Sequence, residues 1–350
     1  MNRAGGGGRA GKVLRVVTLT LAALALLYVL ASRAHLTPAA IARPLAHLAW
    51  WSYPAIVALL TVNLALATVK WLLVMRTLDA DDTAHPRFAD ALLATTFGAL
   101  LGQVMPFQVG VALSRSMAGR LGVGRSAGAN FGTTVYEQAF DAVATGAAAV
   151  AAVPGIFLHL RLWGWMALAV SWGLLVVGGS LLLPLLLGVV AGLLRRLPPG
   201  RRIQGFAVRL GEAVRRAAAF RPRMLAWLAL LSMLRYAAGL ALILALLAAL
   251  GLFRYAAAVS LAFPFLQVVA FLPITPGNLG VMEWSWSAAL VSGGATLGAG
   301  ATFALAVRVV AIVALIVIVA LMVCLHVFRT NAGWHQGGAA RRSGTRTWRT

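Results

Sequence analysis

Long apolar stretches, separated by short basic or polar segments, dominate the chain. Stretches of membrane-spanning length occupy residues 13–31, 54–75, 126–153, 162–194, 224–250 and 302–328. A helix of about 20 apolar residues crosses the hydrocarbon core of a bilayer. The pattern therefore predicts an all-α, polytopic integral membrane helix bundle with about six full spans.

Two further apolar stretches, 97–113 and 253–291, are interrupted by proline and glycine. The residues at these interruptions are Pro106, Gly110, Pro273, Pro276, Gly277 and Gly280. Each stretch has a Pro-x-x-x-Gly motif with a charged residue about ten positions after its first proline. Paired broken helices that enter from opposite sides are typical of transporters. We therefore predict two re-entrant or broken helices related by an inverted repeat; the alternative is two simple kinks.

The charge pattern gives an orientation. The chain has a net charge of +22, yet only 11% of its residues are charged, and nine arginines lie between Arg195 and Arg223. Basic residues concentrate on the cytoplasmic side of membrane proteins. We therefore expect a multi-pass protein of the bacterial inner membrane with both termini in the cytoplasm. Aromatic residues do not alternate with these basic clusters, so no nucleic-acid partner is expected.

The predicted domain limits follow from the polar ends. Residues 1–12 are predicted to be a disordered basic N-terminus, 13–328 the transmembrane domain and 329–350 a disordered basic tail. Apolar residues recur at helical spacing within 201–220, which predicts an amphipathic helix on the cytoplasmic surface. A solvated arginine-rich loop is the alternative. The first span is interpreted as a retained anchor rather than a cleaved signal peptide.

Three of the eight acidic residues lie in apolar surroundings. Glu137 and Asp141 are four residues apart and share one helix face, and Glu283 follows the second interruption. A charge at the centre of a bilayer costs about 2.5 kcal/mol or more. These carboxylates therefore need basic partners or protons.

Basic partners are available in the apolar stretches. Arg115, Arg235 and Arg308 are the natural candidates and Lys70 a weaker one, although Arg235 could instead extend towards the basic inner surface. The hypothesis is a polar cavity that binds an anionic lipid headgroup. Its predicted substrate-binding residues are Arg115, Glu137, Asp141, Glu283 and Arg308. The alternative is a buried ion-pair network that only fixes helix packing.

Other chemistry has little support in the sequence. The six histidines are scattered, one cysteine is present, and no Gly-x-Ser-x-Gly motif occurs. These features predict no metal, no cofactor and no enzymatic activity. An enzyme that uses Glu137 and Asp141 as acid and base ranks third among the hypotheses.

Three motifs together resemble a known family. They are Pro106-x-x-Val109-Gly110 followed by Arg115, Glu137-x-x-x-Asp141, and Leu272-Pro273-x-x-Pro276-Gly277-x-x-Gly280-Val281-x-Glu283. They resemble the flippase-like family, also called the lysylphosphatidylglycerol synthase transmembrane region, over about residues 12–330. The resemblance implies an inner-membrane protein that handles lipids with charged or sugar headgroups. Larger members carry a soluble aminoacyl-transferase domain, which we do not expect here.

The chain departs from the family pattern at three places. Val111 and Ala112 stand where the family often has a glycine and an aspartate, and Gln138 stands where it often has an arginine. Asn278 follows the second proline-glycine pair in place of a glycine. The missing charges leave open whether activity is abolished or redirected.

Two functions follow as hypotheses. The leading one is translocation of an anionic, polyprenyl-linked or hopanoid-type lipid between leaflets. The alternative is a non-transporting partner that scaffolds a lipid- or envelope-modifying enzyme through residues 195–223. The sequence leaves the lipid, the direction, the energy coupling and the oligomeric state open.

Overall fold

The described part of the chain is helical, with turns between the helices and no strands, as the apolar pattern predicts. The computed structural model describes residues 7–78, 86–105, 107–123, 127–158, 162–196, 220–272 and 274–342. The α-helices in these ranges are α1 (Gly7–Arg33), α2 (Pro38–Ala46), α3 (Ser52–Leu78), α4 (Phe88–Leu101), α5 (Phe107–Val123), α6 (Ala127–Phe157), α7 (Leu162–Arg196), α8 (Pro222–Ala249), α9 (Ala256–Phe271), α10 (Val281–Ser292) and α11 (Leu297–Arg342). The all-α polytopic architecture is thereby confirmed.

Within the described ranges, six helical segments are long and apolar enough to cross a membrane. They are Ser52–Thr77, Gly132–Phe157, Trp163–Val189, Pro222–Ala249, Phe253–Phe271 and Leu297–Leu325. The number agrees with the prediction, but one member differs. The apolar part of α1, Val17–Arg33, is shorter than a full span. Phe253–Phe271, predicted as part of a broken stretch, is long enough because a 3₁₀ turn at Phe253–Tyr255 runs directly into α9.

The helices extend beyond the predicted domain limits at both ends. Helix α1 begins at Gly7 rather than at residue 13, and α11 continues to Arg342 rather than ending at 328. The predicted surface helix at 201–220 lies outside the described residues except for its last position, and the predicted break residues Pro106 and Pro273 also lie outside them.

Helices α4 and α5 form an antiparallel hairpin, which we call the first hairpin. The Ser114 hydroxyl donates a hydrogen bond to the carbonyl oxygen of Ala94. A Cβ atom on Gly98 would lie 2.7 Å from the Cα atom of Val111, and one on Gly110 would lie 2.8 Å from the Gly98 oxygen. Only glycine fits so close a crossing. The chain therefore turns back at the first interruption, as a re-entrant segment does.

Helices α9 and α10 form a second antiparallel hairpin. The Asn278 amide nitrogen donates to the carbonyl oxygen of Ala270 at 2.9 Å, close to the turn. Further from the turn, the ring centroids of Phe263 and Trp286 lie 6.3 Å apart. These pairings run in opposite directions along the two helices, so the second interruption is also the tip of a hairpin.

Helix α11 shows that the two hairpins enter from opposite ends. A Cβ atom on Gly300 would lie 2.9 Å from the Ser287 oxygen in the second hairpin. Two turns later, Arg308 contacts the tips of both hairpins. Further along, Leu315 belongs to an apolar cluster with Leu92 of the first hairpin. The observed arrangement agrees with the predicted opposite orientation.

The outer surface of the bundle is apolar. Helix α7 leaves Trp163, Leu174 and Leu185 between 65% and 77% exposed. Apolar side chains at this exposure are expected where a helix faces lipid rather than water. Charged residues away from the ends of the spans, such as Lys70 and Glu137, lie instead on the inner faces of the helices, where they are buried.

Candidate functional site

Arg308 joins the tips of the two hairpins. Its Nε atom donates to a carboxylate oxygen of Glu283. Its Nη2 atom lies 3.1 Å from the carbonyl oxygen of Gly277, and its Nη1 atom lies 3.5 Å from that of Gln103. One guanidinium therefore holds a carboxylate and the backbone of both interruptions, which the sequence places about 170 residues apart.

Glu283 is fixed at the start of α10. The amide of Gly280 donates to its other carboxylate oxygen at 2.6 Å, and the residue is buried. The N-terminal end of a helix favours a negative charge. Gly280 has φ 80°, and a Cβ atom there would lie 2.7 Å from the Cβ atom of Leu26 in α1. Glycine is thus required both by the turn and by the contact with α1.

A second group of charges alternates in sign across four helices. Arg115 Nη1 lies 3.0 Å from Glu137 Oε2, and Lys70 Nζ lies 3.2 Å from Glu137 Oε1. Lys70 also pairs with Asp141, whose other oxygen pairs with Arg235. The order along this chain of ion pairs is Arg115, Glu137, Lys70, Asp141 and Arg235. All the donors and acceptors in it lie in the interior of the bundle.

Arg115, at the inner end of this chain, is saturated with partners. Its Nε atom donates to Thr95 Oγ1 at 3.1 Å and its Nη2 atom to the carbonyl oxygen of Ala67 at 3.2 Å. The guanidinium also lies over the Trp71 ring, 4.7 Å from the ring centroid. Arg115 is fully buried. These contacts pair the charge of Glu137 and hold α5 against α3 and α4.

Arg235, at the other end, points inwards. Its Nε atom lies 3.4 Å from Asn63 Oδ1, and Asn63 Nδ2 donates to the Arg235 carbonyl oxygen at 2.9 Å. Asn63 therefore joins α3 to α8. The alternative in which Arg235 extends to the inner surface is wrong, because Asp141 and Asn63 hold it inside.

A cavity of about 350 Å³ lies between the two charged groups. Four charged residues line it: Asp141 and Arg235 from one group, and Glu283 and Arg308 from the other. Its neutral polar lining includes Asn63, Gln103, Gln138, Thr145, Gln267 and Asn278. The cavity thus connects the hairpin tips with the charged residues of the spans.

The structure divides the predicted site residues into two sets. Asp141, Glu283 and Arg308 line the cavity, whereas Arg115 and Glu137 lie behind it. Glu137 and Asp141 share a helix face as predicted, but they lie one turn apart along α6 and only Asp141 reaches the cavity.

Two further basic residues complete the site. Arg235, which the prediction did not include in its site, lines the cavity, and Lys70 holds both acids of α6. A signal for Lys70 was present, because it is one of only two lysines in the chain and lies within an apolar span. Among the described residues, the ion pairs of the two groups contain four basic side chains and three carboxylates, which leaves one positive charge in surplus.

The predicted break residues occupy the positions expected of them where they are described. Gly110 lies at the close crossing within the first hairpin. Pro276 begins the 3₁₀ turn Pro276–Asn278, and Gly277 within it has φ 59°. At the positions that depart from the family pattern, Val111 and Ala112 are buried and Gln138 lines the cavity.

The cavity lining contains groups that can recognise an anion. Within the described ranges, no three or more His, Cys, Asp or Glu side chains are grouped so that they could hold a metal ion. The cavity instead offers guanidinium and amide donors, beside carboxylates that already have partners. Such a set binds an anion that carries further hydrogen-bonding groups.

The comparisons with known proteins agree with this architecture. The family described as "Lysylphosphatidylglycerol synthase TM region" matches residues 14–344. No curated protein and no solved structure matches the chain.

Proposed function

Because the chain belongs to the family of the lysylphosphatidylglycerol synthase TM region, we propose that it moves an anionic lipid between the two leaflets of the bacterial inner membrane. The proposal includes both termini in the cytoplasm and no catalytic step. Membership in the family indicates a multi-pass membrane protein that takes part in lipid handling. The finer proposal depends on the cavity.

One observation carries the proposal: a charged cavity lies where two oppositely oriented hairpins meet. Non-helical backbone within a membrane is tolerated where it is buried in protein or lines a polar cavity. In transporters, such interruptions surround the substrate site near the midplane. Here the site has a guanidinium on each side, from Arg235 and Arg308.

The size of the cavity favours a headgroup over a whole lipid. A volume of about 350 Å³ is at the small end of ligand pockets, which run from about 300 to 1,000 Å³. The acyl chains would therefore remain in the bilayer, alongside the apolar outer surface. This arrangement suits a protein that shields only the polar part of a lipid as it crosses.

The charge of the site favours an anion. The ion pairs leave one positive charge in surplus, and an uncompensated charge in the interior is unfavourable. A headgroup with one negative charge would neutralise this surplus. A headgroup with a net positive charge would add to it.

Reconstitution into vesicles tests the proposal. An anionic lipid labelled on its acyl chain, with a reductant added outside, reports the exchange of lipid between leaflets. We expect wild type to accelerate exchange, and Arg308→Ala to reduce the rate at least about tenfold, because a charged hydrogen bond at the site is lost. Arg254→Ala is the matched control, because Arg254 is exposed and lies outside the cavity lining.

Two outcomes would contradict the proposal. One is wild-type exchange no faster than in protein-free vesicles, and the other is equal exchange by wild type and Arg308→Ala. The scaffold hypothesis depends on residues 195–223, most of which lie outside the described ranges, and it stays a prediction of the sequence.

A further inference from the structure

We propose that Asn278 selects lipids whose anionic headgroup carries a hydroxyl group, by accepting a hydrogen bond from that hydroxyl. The inference rests on the proposed function and narrows its substrate class to anionic phosphodiester lipids with a polyol headgroup. The hydrogen-bond acceptor is the buried side-chain oxygen of Asn278, which lines the cavity at the tip of the second hairpin.

The side-chain amide of Asn278 has one end fixed and one end free. Its nitrogen donates to the carbonyl oxygen of Ala270 at 2.9 Å. Since a carbonyl oxygen can only accept, this contact decides which end of the amide carries the nitrogen. The other end, Oδ1, is buried and has no hydrogen-bond partner among the described residues. Asn278 lines the cavity and is 5% exposed.

The backbone of Asn278 adds a second unusual feature. Its φ is 51°, in the left-handed region, which asparagine adopts more readily than most residues but less readily than glycine. A glycine would adopt this conformation more easily and would also remove the unpartnered oxygen. Two unfavourable features at one residue in a cavity indicate a function for the side chain.

The chemistry of the surroundings favours a hydroxyl as the donor. An ammonium group would meet the positive charges of Arg308 and Arg235, and the two carboxylates in the lining are already paired with these arginines. The neutral amides of Gln103 and Gln267, which also line the cavity, can exchange hydrogen bonds with hydroxyl groups without adding charge. The site therefore fits a phosphodiester, bound by the guanidinium groups, with a polyol beyond it.

A pair of matched lipids tests the inference. Phosphatidylglycerol and phosphatidylmethanol carry the same phosphodiester charge, but only the first has hydroxyl groups. Equilibrium binding of each to the purified full-length protein in detergent is measured by native mass spectrometry. We expect wild type to prefer phosphatidylglycerol by about tenfold, which is typical of a buried hydrogen bond.

The variant Asn278→Gly should lose this preference. Its affinity for phosphatidylmethanol should stay at the wild-type level, because the phosphodiester contacts are unchanged. Glycine suits the backbone here, so the variant should fold, and thermal unfolding checks this. Phosphatidylethanolamine, with an ammonium in place of the hydroxyl groups, should bind more weakly than phosphatidylglycerol to wild type.

Three results would overturn the inference: equal binding of the two anionic lipids by wild type, a preference retained by Asn278→Gly, or tighter binding of phosphatidylethanolamine. Failure of the proposed function would look different. Suppose that Asn278→Gly removes the hydroxyl preference but the protein exchanges no lipid between leaflets. That result would support the role of Asn278 in binding and contradict translocation. Leaflet exchange of anionic lipid without a hydroxyl preference would support translocation and contradict the role of Asn278.

Discussion

Gly277 and Gln103 touch through their backbones, at the tips of the two opposed hairpins. A Cβ atom on Gly277 would lie 2.1 Å from the carbonyl oxygen of Gln103, far inside van der Waals contact. Arg308 donates to the carbonyl oxygens of both residues. The floor of the cavity is therefore a direct contact between two halves of the chain, with no space for an additional carbon atom.

We predict that Gly277→Ala separates the hairpin tips. Gly251→Ala is the matched control, because Gly251 has a similar φ of 69° but nothing within 4 Å of its Cβ position. Both variants should lose about 1–2 kcal/mol of unfolding free energy from the left-handed backbone. Gly277→Ala should lose about 1–3 kcal/mol more from overpacking. Thermal unfolding in detergent measures both, and equal losses would contradict the tip contact.

We predict strong coupling between Glu283 and Arg308. Glu283→Gln or Arg308→Met alone leaves a buried partner uncompensated and should cost about 3 kcal/mol of unfolding free energy. The double variant should cost less than the sum of the two, by about 0.5–3 kcal/mol. Arg223→Met, at an exposed helix start, should cost less than about 0.5 kcal/mol. Additive losses in the double variant would show that the pair does not act as a unit.

We predict that replacing Lys70 mainly lowers the stability of the fold, whereas replacing Arg235 mainly weakens lipid binding. Lys70 is fully buried and pairs with both Glu137 and Asp141, so Lys70→Met breaks two buried ion pairs at once and should destabilise the fold by about 3–5 kcal/mol. Arg235 lies at the cavity wall, and Asp141 would keep Lys70 if Arg235 were removed. Arg235→Met should therefore cost less stability but weaken the binding of phosphatidylmethanol at least about tenfold.

Unfolding and lipid binding, measured on the same preparations, check this pair. If Arg235→Met bound phosphatidylmethanol as well as wild type did, the charges would only fix helix packing. That outcome would favour a buried ion-pair network over a binding site for an anionic headgroup.

We predict that the open ends of the two hairpins, next to Arg87 and Phe253, lie on opposite sides of the membrane. The test uses a protein that carries Cys324→Ser and one introduced cysteine. The cysteine replaces, in separate variants, one of four exposed residues: Arg87, Arg221, Trp50 or Phe253. An impermeant thiol reagent should label the first two from the cytoplasmic side and the last two from the other side. Labelling of the Arg87 and Phe253 positions from one side would contradict the opposed hairpins.

Much of the architecture was predictable, because a bilayer imposes strong rules on a sequence. The length of each apolar stretch set the spans, and the proline and glycine interruptions marked the two hairpins. The need for charge pairing indicated Arg115, Arg235, Arg308 and, more weakly, Lys70 as partners of the buried carboxylates, but it did not assign individual pairs. One span differed from the prediction: Phe253–Phe271 is a full span in place of residues 13–31. Its length depends on a 3₁₀ turn that apolar composition does not reveal.

The composition of the site was harder to predict. Glu137 and Asp141 share a helix face, yet one turn, about 5.4 Å, places only Asp141 at the cavity. Whether Arg235 points inwards or outwards depends on Asn63, which lies 172 residues away in sequence. The unpartnered oxygen of Asn278 depends on where the Ala270 carbonyl lies. Such facts arise from the three-dimensional packing of the helices, and the spacing of residues along the sequence does not contain them.

The carboxylates beside the cavity arginines have a kinetic consequence. Glu283 and Asp141 already occupy donors of Arg308 and Arg235, so an arriving phosphate must share these groups rather than capture bare cations. We expect occupancy to be brief, with each guanidinium returning to its own carboxylate as the lipid departs. A carrier gains from such a weak hold, because a ligand held too firmly would block the next one.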